Sequence, residues 1–244
     1  MDSWFEKNDK EHLKDIGKRN FIVYDSLCKA NSIINDPKFK TIICSISGGS
    51  DSDIVLDIVH KVDINHKVRY VFFDTGLEYN ATKRHLDYLE KKYSIQITRM
   101  KAKIPIPLSN KRYGQPFVSK QVSEFTMRLQ LHNFKFEDKP YDVLIKEYPN
   151  CKSALEWWCN CKGTDGHSTS SFDISRNKYI KEFMIENPPP FKVSNKCCEY
   201  AKKSLSHEIA KEYNADLMIT GIRKGEGGRE REHIRIASPT RKMM

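Results

Sequence analysis

The feature that most constrains the fold is a short glycine-containing stretch between two apolar segments. Residues 47–52 read Ser-Gly-Gly-Ser-Asp-Ser, and they follow the run Ile42–Ile46 and precede Ile54–Val59. The first run is short, rich in β-branched residues and bounded by glycine, which predicts a buried strand. The apolar residues that follow recur at helical spacing, with Asp51 or Ser52 as the predicted N-cap. The stretch therefore predicts a strand, a tight turn and a helix.

A strand–turn–helix unit of this composition is typical of an anion-binding site. Glycine lets the backbone approach a ligand, and the N–H groups at the positive end of the helix point towards it. The stretch lacks the lysine of the G-x-x-x-x-G-K-[ST] phosphate loop and the spacing of the dinucleotide motif G-x-G-x-x-G. The alternative is a tight turn in which serine and glycine serve backbone geometry alone.

Three further segments have the composition of strands. They are Val68–Phe73, Ile95–Met100 and Leu217–Thr220, and segments with a helical period lie between them. This alternation predicts an α/β fold, a doubly wound, mostly parallel sheet with helices on both faces. Ligands of such sheets bind at the carboxyl ends of the strands, so Asp74 and its neighbours are expected to face the same crevice as residues 47–52.

Composition changes along the chain predict its organisation. We expect an N-terminal helical segment at 1–35, the α/β domain at 36–225 and a flexible basic tail at 226–244. Residues 148–196 form an irregular inserted segment rich in cysteine and tryptophan. Its paired tryptophans need either burial or a ligand.

The chain is basic, with 42 Lys and Arg against 32 Asp and Glu, a net charge of +10 and a pI of about 9.1. A positive field favours an anionic partner, which could be a nucleotide, a sulfonucleotide or a nucleic acid. No stretch approaches the roughly 18 apolar residues of a membrane span, and no signal peptide is visible. The seven cysteines are an odd number without a secretory signal, so we expect a cytoplasmic protein without a disulfide framework.

Four motifs in chain order resemble one protein family. The S-G-G-x-D-S stretch is similar to the pyrophosphate-binding PP-loop of the ATP pyrophosphatases. Asp74–Gly76 resembles the second-strand D-T-G of phosphoadenylyl-sulfate (PAPS) reductases, and Gly114–Lys120 resembles a G-x-P-x-x-S-K element of related proteins. Cys197-Cys198 followed by Ile219–Arg223 resembles their C-C…T-G-x-R. The chain is thereby identified as a member of the PAPS reductase family, within the PP-loop, adenine nucleotide alpha-hydrolase-like superfamily.

The resemblance implies roles for individual residues. Those expected around the nucleotide are Ser47, Gly48, Gly49, Ser50, Asp51, Ser52, Asp74, Thr75, Gly76, Gly221 and Arg223. Those expected in catalysis are Asp51, Lys120, Arg223, Cys197 and Cys198. Lys120 and Arg223 would neutralise phosphate or sulfate oxygens, Arg by a bidentate fork, although ordinary surface charge is the alternative. The implied ligands are ATP, or PAPS or adenylyl sulfate, with Mg²⁺.

The cysteines leave two interpretations of a metal site open. Adjacent cysteines resemble half of the ligand set of the [4Fe–4S] cluster in adenylyl-sulfate reductases, where a later C-x-x-C supplies the rest. No cysteine follows Cys198, so the later pair is absent or the sequence stops before it. Cys159 and Cys161 could join Cys197 and Cys198 as ligands of an iron–sulfur cluster or Zn²⁺. The alternative is a set of buried, reduced thiols.

The nucleophile of a reductase is also unassigned. The sequence lacks the Glu-Cys-Gly context in which sulfonucleotide reductases carry their attacking cysteine. A thiolate nucleophile would have to be Cys197 or Cys198. We expect the basic neighbours Lys196, Lys202 and Lys203 to lower the thiol pKa there.

Three functions remain open. The first is cleavage of ATP at the α-phosphate, which adenylates an acceptor for sulfur transfer, as in nucleic-acid thiolation. The second is reduction of adenylyl sulfate or PAPS with release of sulfite. The third is a non-catalytic, nucleotide-dependent subunit that binds nucleic acid. A sulfur-donor protein and a second copy of the chain are the further candidate partners, and no membrane contact is expected.

Overall fold

The computed structural model describes residues 10–161, 178–221 and 234–236. These residues divide into two compact units, which we describe separately. The first takes in the described residues of Met1–Ala102 and Lys202–Met244, and the second is Lys103–Ala201. Residues 148–196, the predicted insertion, fall within the second unit together with residues 103–147.

A five-stranded sheet forms the centre of the first unit. Its strands are β1 (Ile42–Ser45), β2 (Val68–Asp74), β3 (Ile97–Lys101), β4 (Leu217–Thr220) and β5 (Ile234–Ile236). They lie in the order β3-β2-β1-β4-β5, and β1 to β4 are mutually parallel. The predicted mostly parallel α/β sheet is confirmed.

The helices follow the apolar periods of the sequence. In chain order they are α1 (Lys10–Arg19), α2 (Phe21–Ile34), α3 (Ser50–Val62), α4 (Asn80–Tyr93), α5 (Ile106–Tyr113), α6 (Lys120–Leu131), α7 (Tyr141–Glu147), α8 (Lys152–Trp158), α9 (Lys178–Glu186), α10 (Lys196–Cys198) and α11 (Ser204–Glu212). A 3₁₀ turn precedes α8 at Pro149–Cys151, and a π-helical turn joins α10 to α11 at Glu199–Lys203. None of the described helices has both the length and the apolar composition to cross a membrane.

Alternate residues of β1 bury two different cores because successive side chains of a strand point to opposite faces. Ile42 and Cys44 pack on one face, with Leu56 of α3 and Leu86 of α4. Ile43 packs on the other face, with Ile209 of α11. Helices therefore cover both faces of the sheet, as predicted.

The sequence analysis missed one strand. Residues 226–244 were expected to form a flexible tail, yet Ile234–Ile236 pairs antiparallel with β4, Leu217 opposite Ile236. Two isoleucines around one arginine are too few to reveal a period of two in a segment rich in Gly, Arg and Glu. Backbone pairing with β4, which the local pattern does not encode, defines this strand.

The second unit has an aromatic core of its own. Trp157 and Trp158 are fully buried, and Phe134 and Phe136 meet the ring of Trp158 edge-on. The Trp158 indole N–H donates a hydrogen bond of 3.0 Å to the carbonyl oxygen of Glu137. The sequence analysis expected the tryptophan pair to need either burial or a ligand, and the structure buries both residues.

Candidate nucleotide-binding site

The predicted anion loop joins the carboxyl end of β1 to the first turn of α3. Gly48 has a φ of +75°, in the left-handed region that favours glycine. A Cβ atom on Gly48 would lie 2.9 Å from Cγ2 of Thr82. Both the backbone angle and the neighbouring side chain thus require glycine here, which explains the first of the two adjacent glycines.

The predicted N-cap of α3, Asp51 or Ser52, was wrong by two or three residues. Gly49, with an extended backbone at φ −99° and ψ 162°, is the N-cap, and the helix begins at Ser50. Ser52 does not cap the helix, since its hydroxyl donates to the carbonyl oxygen of Gly49 at 2.8 Å. A glycine N-cap offers no side-chain acceptor, and the first N–H groups of a helix have no acceptor within it. The start of α3 is therefore suited to an anion.

The D-T-G motif forms a turn at the end of the adjacent strand β2. Asp74 Oδ1 accepts the N–H of Gly76 at 3.0 Å, and Gly76 has a φ of +87°. Thr75 is buried, and its hydroxyl donates to Glu78 Oε1 at 2.7 Å. Thr75 therefore stabilises the turn, whereas the carboxylate of Asp74 ends the strand beside the loop.

Gly221 brings a third strand end to the site. It follows β4, and a Cβ atom there would lie 3.3 Å from the backbone Cα and N atoms of Ser52. The first unit thus brings together Ser47–Ser52, Asp74–Gly76 and Gly221, at the carboxyl ends of three adjacent strands. Arg223, the other predicted residue of this motif, lies outside the described residues.

Helix α4 contributes three contacts that the sequence analysis did not predict. Thr82 packs against Gly48, as described above. Lys83 Nζ lies 3.4 Å from Asp74 Oδ2, and His85 Nε2 lies 2.6 Å from Asp53 Oδ2. The helical period places Thr82 on the same face as the buried Leu86, which is the one sequence signal that could have indicated its contact.

Lys120, Cys197 and Cys198 belong to the second unit. Lys120 is the exposed first residue of α6, behind the N-cap Ser119, whose Oγ accepts the Val122 N–H at 3.2 Å. The G-x-P-x-x-S-K element thus ends in a helix cap. This local role accounts for the serine and leaves the lysine side chain at the surface.

The prediction of a lowered thiol pKa was wrong for Cys197. Burial, with a further contribution from the neighbouring Cys198, raises the pKa of the Cys197 thiol. Lys196, expected to favour the thiolate, lies with its Nζ 5.1 Å from the ring centre of Tyr113. Desolvation therefore dominates at Cys197, whereas Cys198 is exposed.

The tentative metal ligands do not assemble within the described residues. In that part of the chain, no group of three or more His, Cys, Asp and Glu side chains is arranged to hold a metal ion. Cys159 Sγ is 3.8 Å from the carbonyl oxygen of Lys139, and burial, followed by the nearby Cys161, raises the Cys159 pKa to about 11. The described cysteines therefore do not form a ligand set for an iron–sulfur cluster or zinc.

The glycine loop at a helix start, on the central strands of a parallel sheet, defines a nucleotide-binding α/β protein. Residues 41–139 match the family model described as Phosphoadenosine phosphosulfate reductase domain. Residues 41–139 therefore carry a domain of the family that the motifs resemble.

Several solved structures match this chain, and one of them is an NAD synthetase. It is the NH3-dependent NAD synthetase from Campylobacter jejuni subsp. jejuni NCTC 11168, in complex with the nitrate ion. The match covers 79% of this chain and 95% of that chain, with 11% identity and a TM-score of 0.35. None of the curated proteins matches the sequence.

Proposed function

We propose that the chain is a PP-loop enzyme that cleaves ATP at the α-phosphate and transfers the adenylyl group to an acceptor. One observation carries the proposal: Gly48 in the left-handed region and the glycine N-cap Gly49 open a 13-residue helix at the end of the central strand β1. Backbone N–H groups in this arrangement hold phosphate oxygens. The matched family domain spans the loop.

The reaction follows from phosphate chemistry. An acceptor oxygen attacks the α-phosphorus, the bond from that phosphorus to the oxygen bridging to the β-phosphate breaks, and pyrophosphate leaves. The acceptor proton passes to solvent. Positioning and neutralisation of the developing charge supply the catalysis, and we assign these tasks to the loop and to Arg223. ATP enters as its Mg²⁺ complex, in which phosphates and water provide much of the coordination.

The acceptor we propose is a nucleic acid, which then takes sulfur with release of AMP. The support is the net charge of +10, since cationic surfaces attract the phosphate backbone. A sulfur-donor protein or an inorganic sulfur source would supply the sulfur atom. Raising the salt concentration should weaken binding of this acceptor steeply.

Pyrophosphate release tests the proposal. Wild-type protein with Mg-ATP and pooled cellular RNA or DNA is compared with Asp51→Asn in the first turn of α3 and with Asp57→Asn in the middle of the same helix. We expect release from wild type and Asp57→Asn and a large loss in Asp51→Asn. No release above background from wild type with any nucleic acid, or equal rates in all three proteins, would contradict the proposal.

A second function, reduction of a sulfonucleotide, is favoured by one observation. Cys198 is exposed beside the buried Cys197, so one thiol of the pair is accessible to a substrate. The Cys198 thiolate would attack the substrate sulfur, the sulfur–oxygen bond to phosphate would break, and the nucleotide would leave. An external thiol would then release sulfite, and a second would reduce the mixed disulfide.

Sulfite release from adenylyl sulfate or PAPS with a thiol reductant distinguishes this function. Unchanged sulfite release by the Cys197→Ser, Cys198→Ser double variant would exclude these cysteines as nucleophiles. Binding of ATP without any turnover would instead favour the non-catalytic subunit.

A further inference from the structure

Helix α4 makes three contacts around the loop site, at Gly48, Asp53 and Asp74. Thr82 meets the loop at Gly48, and His85 meets the first turn of α3 at Asp53. Lys83, between them in sequence, meets the end of β2 at Asp74. Packing and polar contacts therefore hold the first two turns of α4 against the loop.

The ion pair between Lys83 and Asp74 is long, and its lysine side chain is the more exposed partner. Nζ and Oδ2 are 3.4 Å apart, and the side chain of Lys83 is 46% exposed, whereas that of Asp74 is 16% exposed. The other oxygen of Asp74 accepts the Gly76 N–H, so the carboxylate is fixed by its turn. A half-exposed ion pair of this kind contributes little to stability, so a phosphate group can bind the ammonium group at low cost.

Acidic side chains lie in the first turn of α3, so a cation near the loop would favour binding of phosphate there. The first turn of α3 carries two acidic residues, Asp51 and Asp53, and no basic one. A polyphosphate at the start of α3 would meet these carboxylates as well as the helix N–H groups. His85 Nε2 is already in contact with the Asp53 carboxylate. Lys83 is a cation that directly follows Thr82, the residue in contact with Gly48.

We propose that Lys83 binds a phosphate group of the nucleotide, with Asp74 orienting its ammonium group towards the loop. This inference rests on the proposed function, because it assumes that residues 47–52 hold nucleotide phosphates. His85 is a positioning residue in this arrangement, since its contact with Asp53 fixes α4 on α3. Lys83 thus adds a side-chain charge to the backbone donors and hydroxyls of the loop.

Equilibrium binding of ATP and of adenosine tests the inference. The proteins compared are wild type, Lys83→Gln, Lys83→Arg and the control Lys91→Gln, which removes an exposed lysine from the last turn of the same helix. We expect Lys83→Gln to weaken ATP binding about tenfold or more, the effect of losing one hydrogen bond to a charged group. Lys83→Arg should retain most of the affinity, and Lys91→Gln should match wild type. Adenosine, which has no phosphate, should bind all four proteins equally.

The two substrates separate the possible failures. Equal ATP affinity of Lys83→Gln and wild type would overturn the role of Lys83 and leave the proposed function standing. A parallel loss of adenosine and ATP binding in Lys83→Gln would show that the substitution disturbs the fold, and Lys83→Arg would then decide by its ATP affinity relative to adenosine. Absence of ATP binding by the wild type would overturn the proposed function, and the role of Lys83 with it.

Discussion

The methyl carbon of Thr82 lies 2.9 Å from the position that a Cβ atom would take on Gly48. A helix that follows the second strand thus fixes the backbone of a loop that follows the first. The sequence motif gives the glycine, but only the fold shows that a side chain from elsewhere in the chain restricts it. Two independent restraints, the positive φ and the contact, act on one residue.

Gly48→Ala should abolish or strongly weaken nucleotide binding. An alanine in the left-handed region costs roughly 1–2 kcal/mol, and its methyl group would overlap Thr82. The loop must therefore shift away from α4 and lose its geometry. Isothermal titration with ATP measures the affinity, and chemical unfolding measures the cost in stability.

Thr82→Ser separates the two restraints, because it removes the methyl group and keeps the hydroxyl. In the Gly48→Ala background, Thr82→Ser should restore the free energy of unfolding that is lost through overlap with the Thr82 methyl group. The loss caused by the positive φ of residue 48 should remain. Equal stability of Gly48→Ala with and without Thr82→Ser would mean that the contact has no energetic effect.

Gly221→Ala should weaken ATP binding while the protein stays folded. Its methyl group would lie 3.3 Å from the backbone of Ser52, so the start of α3 has to yield by a few tenths of an ångström. Gly17→Ala is the matched control: its Cβ would lie 3.5 Å from the Tyr24 ring, an ordinary contact, within the helix α1. The control should be neutral or stabilising by up to about 1 kcal/mol. Unimpaired ATP binding by Gly221→Ala would contradict the close approach of β4 and α3.

Cys198 should react with an alkylating reagent before Cys197, Cys44 and Cys151. It is exposed, whereas the other three are buried and burial raises the pKa of each. Timed iodoacetamide labelling of the native protein, followed by peptide mass spectrometry, gives the order. A faster reaction at Cys197 than at Cys198 would mean that its thiolate is favoured after all, as the basic neighbours first led us to expect.

The stability of the protein should fall at alkaline pH partly because of Cys44. Burial raises its pKa from 9.0 to about 12, so above pH 9 the unfolded chain loses a proton that the folded protein keeps. The resulting stabilisation is complete below pH 9 and is lost by about 1.4 kcal/mol for each pH unit between 9 and 12. Urea unfolding at pH 8 to 10.5 should show a shallower decline in Cys44→Ala than in wild type or Cys28→Ala. Identical slopes in the three proteins would contradict this.

Much of the first unit is encoded in local patterns. The four parallel strands and helices α3 and α4 were predictable, because apolar runs of β-branched residues alternate with helical periods. Strand β5 was not, since three residues form a strand only by pairing with β4. The N-cap Gly49 was also missed, because serine and aspartate are the stronger general N-caps. The loop uses glycine there and turns the Ser52 hydroxyl back to the Gly49 carbonyl.

The motifs located the loop, the D-T-G turn and Gly221, but not the side chains that act around them. Lys83 and His85 lie in a helix whose sequence shows only an ordinary amphipathic pattern, and their partners Asp74 and Asp53 come from other elements. The raised pKa of Cys197 was unpredictable for the same reason. Neighbours in sequence supply charge, but burial by the fold outweighs it.

Hydrogen–deuterium exchange of the wild-type protein, with and without Mg-ATP, tests most directly whether residues 47–52 bind nucleotide phosphates. The account predicts ATP-dependent protection of the backbone amides in peptides that cover Gly48–Asp53 and the turn at Asp74–Gly76. Peptides that cover Tyr141–Trp158, in the aromatic core of the second unit, should exchange at the same rate in both conditions. Unchanged exchange at Gly48–Asp53 at saturating Mg-ATP would contradict the account.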